Sequence, residues 1–361
     1  MEKSAYRIID ANLNRGREAA RVMEEFCRFY LNSSELSGRA KNLRHRLCGA
    51  GNQFDISMLV SARDSGADVG RGLAVSDQLK RTELRDCFTA AVKRISEALR
   101  ALAEVSQTLK PELTPIFEEL RFETYTLEKD AVLAASVKSK VDRIRLYVLV
   151  TAAQANTDDE LLQLTEACCR GGADCLQLRA KGLSDGRTYR LAEKMVSVCS
   201  EHQVVSIIND RPDIALASGA DGVHLGQDDM PVSKVRELFN RPMIVGLSTH
   251  NADQLEQAIR ERPDYVGLGP VFETRTKHIE KLAGLEYVEH AVSRLHDTGI
   301  GHVAIGGINA VNADDVISAG ASAVAVCSAV TGSNDPAAAC DELNNILSKA
   351  GPENDQLKAW P

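Results

Sequence analysis

Apolar residues recur at helical spacing near the start of the chain, where Ile8, Ile9, Leu13, Ala20, Met23, Phe26 and Tyr30 form a stripe separated by charged positions. Up to residue 140 the only prolines are at 111 and 115, so the stretch reads as an all-helical module. A helix from about Pro115 to Ser136 closes it, and Val137-Lys-Ser-Lys-Val-Asp-Arg143 reads as a short polar connection. The pattern then changes. Arg145-Leu-Tyr-Val-Leu-Val150 is a strand-like run, and others start near Cys175, Val204, Asp221, Met243, Asp264, His302 and Ala323, each followed by an amphipathic helical stretch. Of the 25 glycines, 18 fall after residue 140, which marks the same boundary. The spacing therefore predicts an all-α domain over 1–140, a second domain over 141–350, and a polar tail over 351–361. Eight successive β-α units make the second an α/β domain of the (β/α)8 TIM-barrel class. The open doubly wound alternative lacks its dinucleotide fingerprint, since Thr151-Ala-Ala-Gln154 follows the first strand.

The helical module contains an internal echo. Arg15, Glu18, Arg21 and Glu25 recur at the same spacing as Arg94, Glu97, Arg100 and Glu104. Such a pattern serves either as a solvated face laced with weak i,i+4 ion pairs or as two helices presenting arginines to an anionic ligand. The charged, glycine-containing loop Arg63-Asp64-Ser-Gly-Ala-Asp68-Val-Gly-Arg71-Gly would assist the second, and Gly51 to Gly72 reads as either a lid or a fixed loop.

Composition narrows the classes of function. A chain that is 44% hydrophobic and 26% charged is ordinary for a globular protein, and a net charge of −8 offers no basic surface for nucleic acid. The N-terminus lacks the apolar run of a signal peptide and no stretch reaches the length of a membrane span, so the expected setting is cytoplasmic, with small molecules as partners. Nine cysteines, with no Cys-x-x-Cys pair, argue for free thiols rather than disulfides or zinc.

In a barrel of this class the working residues stand at the carboxyl ends of the strands. The segment from Val205 to Gly226 reads strand, Asn-Asp, short helix, strand, Gly, so Asp210 and Asp229 lie beyond neighbouring strands and suit Mg²⁺ held for a phosphate-bearing substrate. Strand two ends at Gln177, Arg179 and Lys181, which alternation sends to one side as a grip for a polar heterocycle joined to phosphates. Strand five ends at Ser248, Thr249 and His250, with His250 read as structural. After strand six, Thr274-Arg275-Thr276-Lys277 suits phosphate oxygens. Gly307, with the backbone amides at Cys327 and Ser328, forms the phosphate cup expected after strands seven and eight. Two phosphorylated ends with neither a hydride carrier nor a nucleophile pattern point to group transfer with a phosphate leaving group.

Several motifs in order carry a resemblance: Gln177-Leu-Arg-Ala-Lys181; Asn209-Asp210-Arg211; Ala220-Asp-Gly-Val-His-Leu-Gly-Gln-Asp-Asp229; Gly246-Leu-Ser248-Thr-His250; Gly-Leu-Gly-Pro-Val-Phe before Thr274-Arg-Thr276-Lys277; and Ile305-Gly-Gly307-Ile. Across residues 145 to 348 the chain resembles the thiamine-phosphate synthases. The resemblance implies that 4-amino-2-methyl-5-(diphosphooxymethyl)pyrimidine loses diphosphate while the nitrogen of thiazole phosphate attacks the exocyclic methylene, giving thiamine phosphate. It implies a pyrimidine diphosphate site made of Gln177, Leu178, Arg179, Ala180, Lys181, Asn209, Ser248 and Lys277, of which Arg179, Lys181, Ser248 and Lys277 are catalytic. It implies Mg²⁺ on Asp210 and Asp229, and thiazole phosphate at Thr274, Arg275, Thr276, Gly307, Cys327 and Ser328. Glu273 departs from the proline common in the family, and Cys327 from an aliphatic residue. The related thiazole tautomerases, which do not couple, are the alternative for the barrel. The helical module resembles an extension fused to some of these synthases and associated with phosphorylating hydroxymethylpyrimidine phosphate, although it has no Gly-x-x-x-x-Gly-Lys-Ser/Thr loop. Its alternative role is docking or homo-oligomerisation.

Overall fold

The apolar runs of the second region pair in parallel and in chain order as a closed eight-stranded barrel in the computed structural model, which describes residues 2–64, 66, 68–69, 81–155, 157–274 and 282–350. The chain forms two compact units, Met1–Ala135 and Ser136–Pro361.

The first unit holds helices α1 (Glu2–Glu25), α2 (Ser34–Gly51), α3 (Ile56–Ser61) and α4 (Leu84–Ser106), and most of α5 (Thr114–Asp142). Ile9, Leu13, Ala20, Met23 and Phe26 of the sequence stripe are buried, where they meet Leu43, Leu47, Phe88, Ile95, Leu99, Phe117 and Leu120. Ile8 departs from that expectation and stays largely exposed. Gly16 permits close helix packing, since a Cβ there would lie 2.9 Å from a methyl of Leu47. Ser33 and Asp55 cap α2 and α3 by accepting from backbone amides, so the chain between Gly51 and Ser61 is partly helical rather than wholly loop.

The second unit continues with β1 (Leu146–Thr151), α6 (Asp158–Arg170), β2 (Cys175–Arg179), α7 (Asp185–Glu201), β3 (Val205–Asn209), α8 (Pro212–Ser218), β4 (Gly222–Leu225) and α9 (Val232–Leu238). It ends with β5 (Ile244–Thr249), α10 (Ala252–Glu261), β6 (Tyr265–Leu268), α11 (Gly284–Leu295), β7 (Gly301–Ile305), α12 (Ala313–Ser318), β8 (Val324–Val326), α13 (Ser328–Thr331) and α14 (Pro336–Ala350). Every strand begins within a residue of its sequence-based position. Alternation sends Tyr147, Cys175, Val205, Ile207, Ile244, Tyr265, Val303 and Ala325 to the barrel interior. Leu146, Val148, Val150, Leu176 and Leu178 face the surrounding helices. All nine cysteines are free. No helix among the described residues is long and apolar enough to cross a membrane.

The stretch expected as a polar connection is helical as far as Asp142. Val137, Val141 and Ile144 join the interior cluster, while Lys138 pairs with Asp142 at 3.0 Å and Lys140 reaches Asp221 at 2.5 Å. These apolar positions recur at helical spacing between lysines, which is why the segment reads as polar by composition yet plugs the amino-terminal end of the barrel.

That end is locked by a repeated device. Three strands are preceded by an αL residue and, two positions on, an aspartate: Gly172 and Asp174 before β2, Gly219 and Asp221 before β4, Arg262 and Asp264 before β6. Each carboxylate accepts from amides at the start of the preceding strand. Asp174 takes Arg145 N and Leu146 N at 2.8 Å, Asp221 takes Ser206 N at 2.9 Å, and Asp264 takes Val245 N at 2.7 Å. Amides otherwise left unpaired at the barrel rim are thereby satisfied. Asp221→Ala strands the Ser206 amide and Lys140, and is expected to destabilise the fold by about 1–3 kcal/mol in urea unfolding. Gly219→Ala places a Cβ in open space, so its loss of about 1–2 kcal/mol is purely backbone strain; a neutral result in the same measurement contradicts the αL requirement.

Candidate active site

The β3 and β4 tips bring two carboxylates together. Asp210 follows β3 with φ 62°, its amide donating to the His224 carbonyl at 2.8 Å, which turns the chain sharply at the rim. Asp229 follows β4 and accepts from Gly226 N at 2.6 Å. Lys181, just past β2, reaches Asp210 at 3.2 Å. Burial raises the Asp229 pKa, and the neighbouring Asp210 carboxylate raises it further against the opposing pull of the Gly226 amide and Lys181. Two carboxylates that repel each other at a rim make a half-complete cation site. Among the described residues there is no cluster of three or more side chains able to hold a metal. A pair of carboxylates is a donor set of the kind Mg²⁺ uses, since that ion binds through one or two carboxylates and takes its other ligands from water and phosphate.

The remaining pyrimidine-side residues lie on the neighbouring strands. Arg179 and Asn209 are half-buried at the tips of β2 and β3, Leu178 is buried against the outer helices, and Ala180 and the exposed Lys181 lie just beyond β2. Gln177 sits deeper than its sequence pattern suggests, 3% exposed, and donates through Nε2 to the Tyr147 hydroxyl at 2.7 Å. Ser248 lies at the end of β5, with its Oγ 2.9 Å from His224 Nε2. His224 and the two tyrosines, Tyr147 and Tyr265, were not singled out by sequence reasoning. His224 Nδ1 lies 2.9 Å from the Tyr265 hydroxyl, and Tyr265 lies 3.0 Å from Tyr147. Burial lowers the His224 pKa to about 4, so the ring is neutral at ordinary pH. The missed signal was alternation, which places His224 and Tyr265 on the same face as Gln177. His250 is structural as expected, with Nδ1 2.5 Å from the Gly269 carbonyl.

On the thiazole side the loop after β6 is stitched to β7, with Val271 N donating to Ile305 O and Phe272 N to Gly306 O, both at 2.9 Å. Gly307 has φ 68°, and a Cβ there would lie 2.4 Å from the Glu273 carbonyl. The chain's own loop thus demands glycine at this position, independently of any ligand. Cys327 caps the single turn of α13, Ser328 is exposed beside it, and Cys327 Sγ lies 3.9 Å from Thr151 Oγ1. Thr274 is half-buried. Arg275, Thr276 and Lys277 lie outside the described residues.

In the helical unit Arg21 pairs with Glu25 at 3.1 Å and Arg100 with Glu104 at 2.7 Å, each within its own helix, and Arg100 also lies 3.8 Å from Glu118 on α5. Arg15, Glu18, Arg94 and Glu97 are exposed. Arg63 makes a bidentate pair with the mostly buried Asp10, both contacts at 2.7 Å, and Arg7 lies 3.7 Å from Asp68. Arg71 and Gly72 lie outside the described residues.

A family model described as thiamine monophosphate synthase matches residues 146–330, and one described as the ThiD2 family matches residues 7–130. A thiamine-phosphate synthase from Nostoc sp. is 37% identical, covering 98% of this chain and 97% of its own length. One from Synechocystis sp. is 38% identical over 96% of this chain and 97% of its own. Among solved structures, thiamine phosphate pyrophosphorylase from Pyrococcus furiosus matches with a TM-score of 0.53 at 32% identity, covering 59% of this chain and 99% of that one.

The carboxylate pair generates a prediction. Removing the Asp210 charge in Asp210→Asn brings the Asp229 pKa down toward the ordinary aspartate range, as followed by carboxyl-carbon NMR titration. An unmoved Asp229 would mean that the two acids do not share one site.

Proposed function

The chain belongs to the thiamine-phosphate synthase family, and from that premise we propose how its residues divide the work of joining a pyrimidine diphosphate to thiazole phosphate. The observation that carries the reading is the pairing of Asp210 with Asp229 beside Lys181 at the barrel mouth. Mg²⁺ bound there would supply charge neutralisation for diphosphate. Gln177, Arg179, Lys181, Asn209 and Ser248 hold the pyrimidine diphosphate, flanked by the backbone of Leu178 and Ala180. Arg179, Lys181, Ser248 and Lys277 act on the developing charge, the last entering from its sequence position alone. Thr274, Arg275 and Thr276, with the backbone at Gly307, Cys327 and Ser328, take the thiazole phosphate.

The bond from the exocyclic methylene to diphosphate oxygen breaks, and its electron pair leaves with diphosphate. The thiazole nitrogen lone pair then forms the new carbon–nitrogen bond. An electron-rich aminopyrimidine stabilises the intervening cation, so the chain need only orient the partners, stabilise the leaving group and exclude water. No protein nucleophile takes part. The barrel domain, 141–350, carries this reaction in the cytoplasm. The domain 1–140 phosphorylates hydroxymethylpyrimidine phosphate to supply the diphosphate, a reading supported by the ThiD2 family match.

Purified protein given both substrates is expected to form thiamine phosphate only with Mg²⁺, and Asp210→Ala to lower turnover by about a hundredfold or more. Unchanged turnover and Mg²⁺ dependence in that variant would return the barrel to the non-coupling, tautomerase-like reading. The full chain given hydroxymethylpyrimidine phosphate, thiazole phosphate and Mg²⁺ is expected to form product only when ATP is present. Absence of product under those conditions, with the diphosphate substrate still used, leaves the helical domain as a docking or oligomerisation element, to be checked by sedimentation.

A further inference from the structure

In the barrel interior, three polar groups that the coupling chemistry does not call for join two residues of the pyrimidine site, Gln177 and Ser248. Gln177 on β2, Tyr147 on β1, Tyr265 on β6, His224 on β4 and Ser248 on β5 are linked end to end at 2.7, 3.0, 2.9 and 2.9 Å. Strand register explains how β6 reaches β4. His224 pairs with Gly246, and Gly246 with Tyr265, so the three stand at one level across adjacent strands. A Cβ on Gly246 would lie 2.2 Å from the Tyr265 ring, and one on Gly267 would lie 3.3 Å from the His224 ring. Two missing side chains thus clear the space in which the tyrosine and the histidine meet.

One direction of donation can run through all four links, starting from the amide. The Gln177 amide nitrogen can only donate, so Tyr147 accepts there and can give its own hydrogen to Tyr265. Tyr265 then donates to His224 Nδ1. A neutral imidazole accepting at Nδ1 carries its hydrogen on Nε2 and donates it to Ser248 Oγ. The Ser248 hydroxyl, engaged as an acceptor from below, keeps its hydrogen for the mouth. We infer that Tyr147, Tyr265 and His224 are positioning residues that orient the Ser248 hydroxyl, so that it donates to an acceptor atom of the pyrimidine diphosphate. The inference rests on the placement of Ser248 against that substrate.

The test is a double-mutant cycle read by steady-state kinetics in each substrate. Tyr265→Phe keeps the ring that Gly246 accommodates and removes the hydroxyl. It is expected to lower kcat/KM for the pyrimidine diphosphate roughly tenfold, the scale of one lost hydrogen bond in a buried site, while leaving the KM for thiazole phosphate unchanged. In a Ser248→Ala background the same change is expected to cost nothing further, because the residue acts through Ser248. Tyr147→Phe, one link farther back, gives the same coupling with a smaller loss and stands in if Tyr265→Phe does not fold. A Ser248→Ala loss with fully additive tyrosine effects overturns the relay and leaves the placement of Ser248 intact. A Ser248→Ala enzyme with unchanged pyrimidine kinetics overturns that placement and the relay together, while Mg²⁺-dependent coupling still stands on Asp210 and Asp229.

Discussion

Closure of the parallel sheet is the constraint on which the rest depends. Once β8 pairs with β1, the wall has no strand edge, and the backbone groups still to be satisfied are those at its two ends. Each end must then be finished by other means. At the starting end this is done internally, by aspartates that accept from strand amides and by the last turns of α5, which cover the apolar interior. At the other end the carboxyl termini of the strands converge, and there Asp210, Asp229 and Lys181 stand together.

The contrast between the two ends is physical. Asp174 and Asp264 are held by backbone amides in settings where burial raises their pKa, and Asp264 also has Arg236 at 3.2 Å, so both belong to the architecture. Asp210 and Asp229 neighbour each other at the mouth, where burial and the Asp210 carboxylate raise the Asp229 pKa against the pull of the Gly226 amide and Lys181. Like charges held close together at the mouth of a barrel are characteristic of a working site. The polar relay through Tyr147, Tyr265 and His224 belongs to the same economy, because a buried hydroxyl or imidazole is tolerable only when every link is satisfied.

Much of this was legible in the chain. Each strand was readable because apolar alternation has a period of two and is punctuated by glycine and helical stretches, and closure follows from the number of β-α units. The acids at 210 and 229 were readable because strand tips in such barrels point to one mouth. The helical end of α5 was missed because polar residues dominate the stretch 137–143, while the apolar positions at 137 and 141, continued by Ile144, keep helical spacing. The αL–Asp device was missed because its meaning lies in which strand the carboxylate meets. His224 and Tyr265 were missed because each, taken alone, reads as an ordinary strand residue.

The amino-acid sequence by itself determined the two-part organisation, the strand order and the rim on which the charged residues stand, since these follow from local periodicity and the handedness of β-α-β units. Only the tertiary structure decided which side chains meet. Whether Tyr265 touches His224 depends on the register of three strands and on the absence of a Cβ at Gly246 between them. Whether Gly307 serves a ligand or its own chain depends on where the loop after β6 crosses β7. Contacts of this kind join residues far apart in sequence, and their distances are set by the register of strands around the closed barrel, which no local pattern encodes.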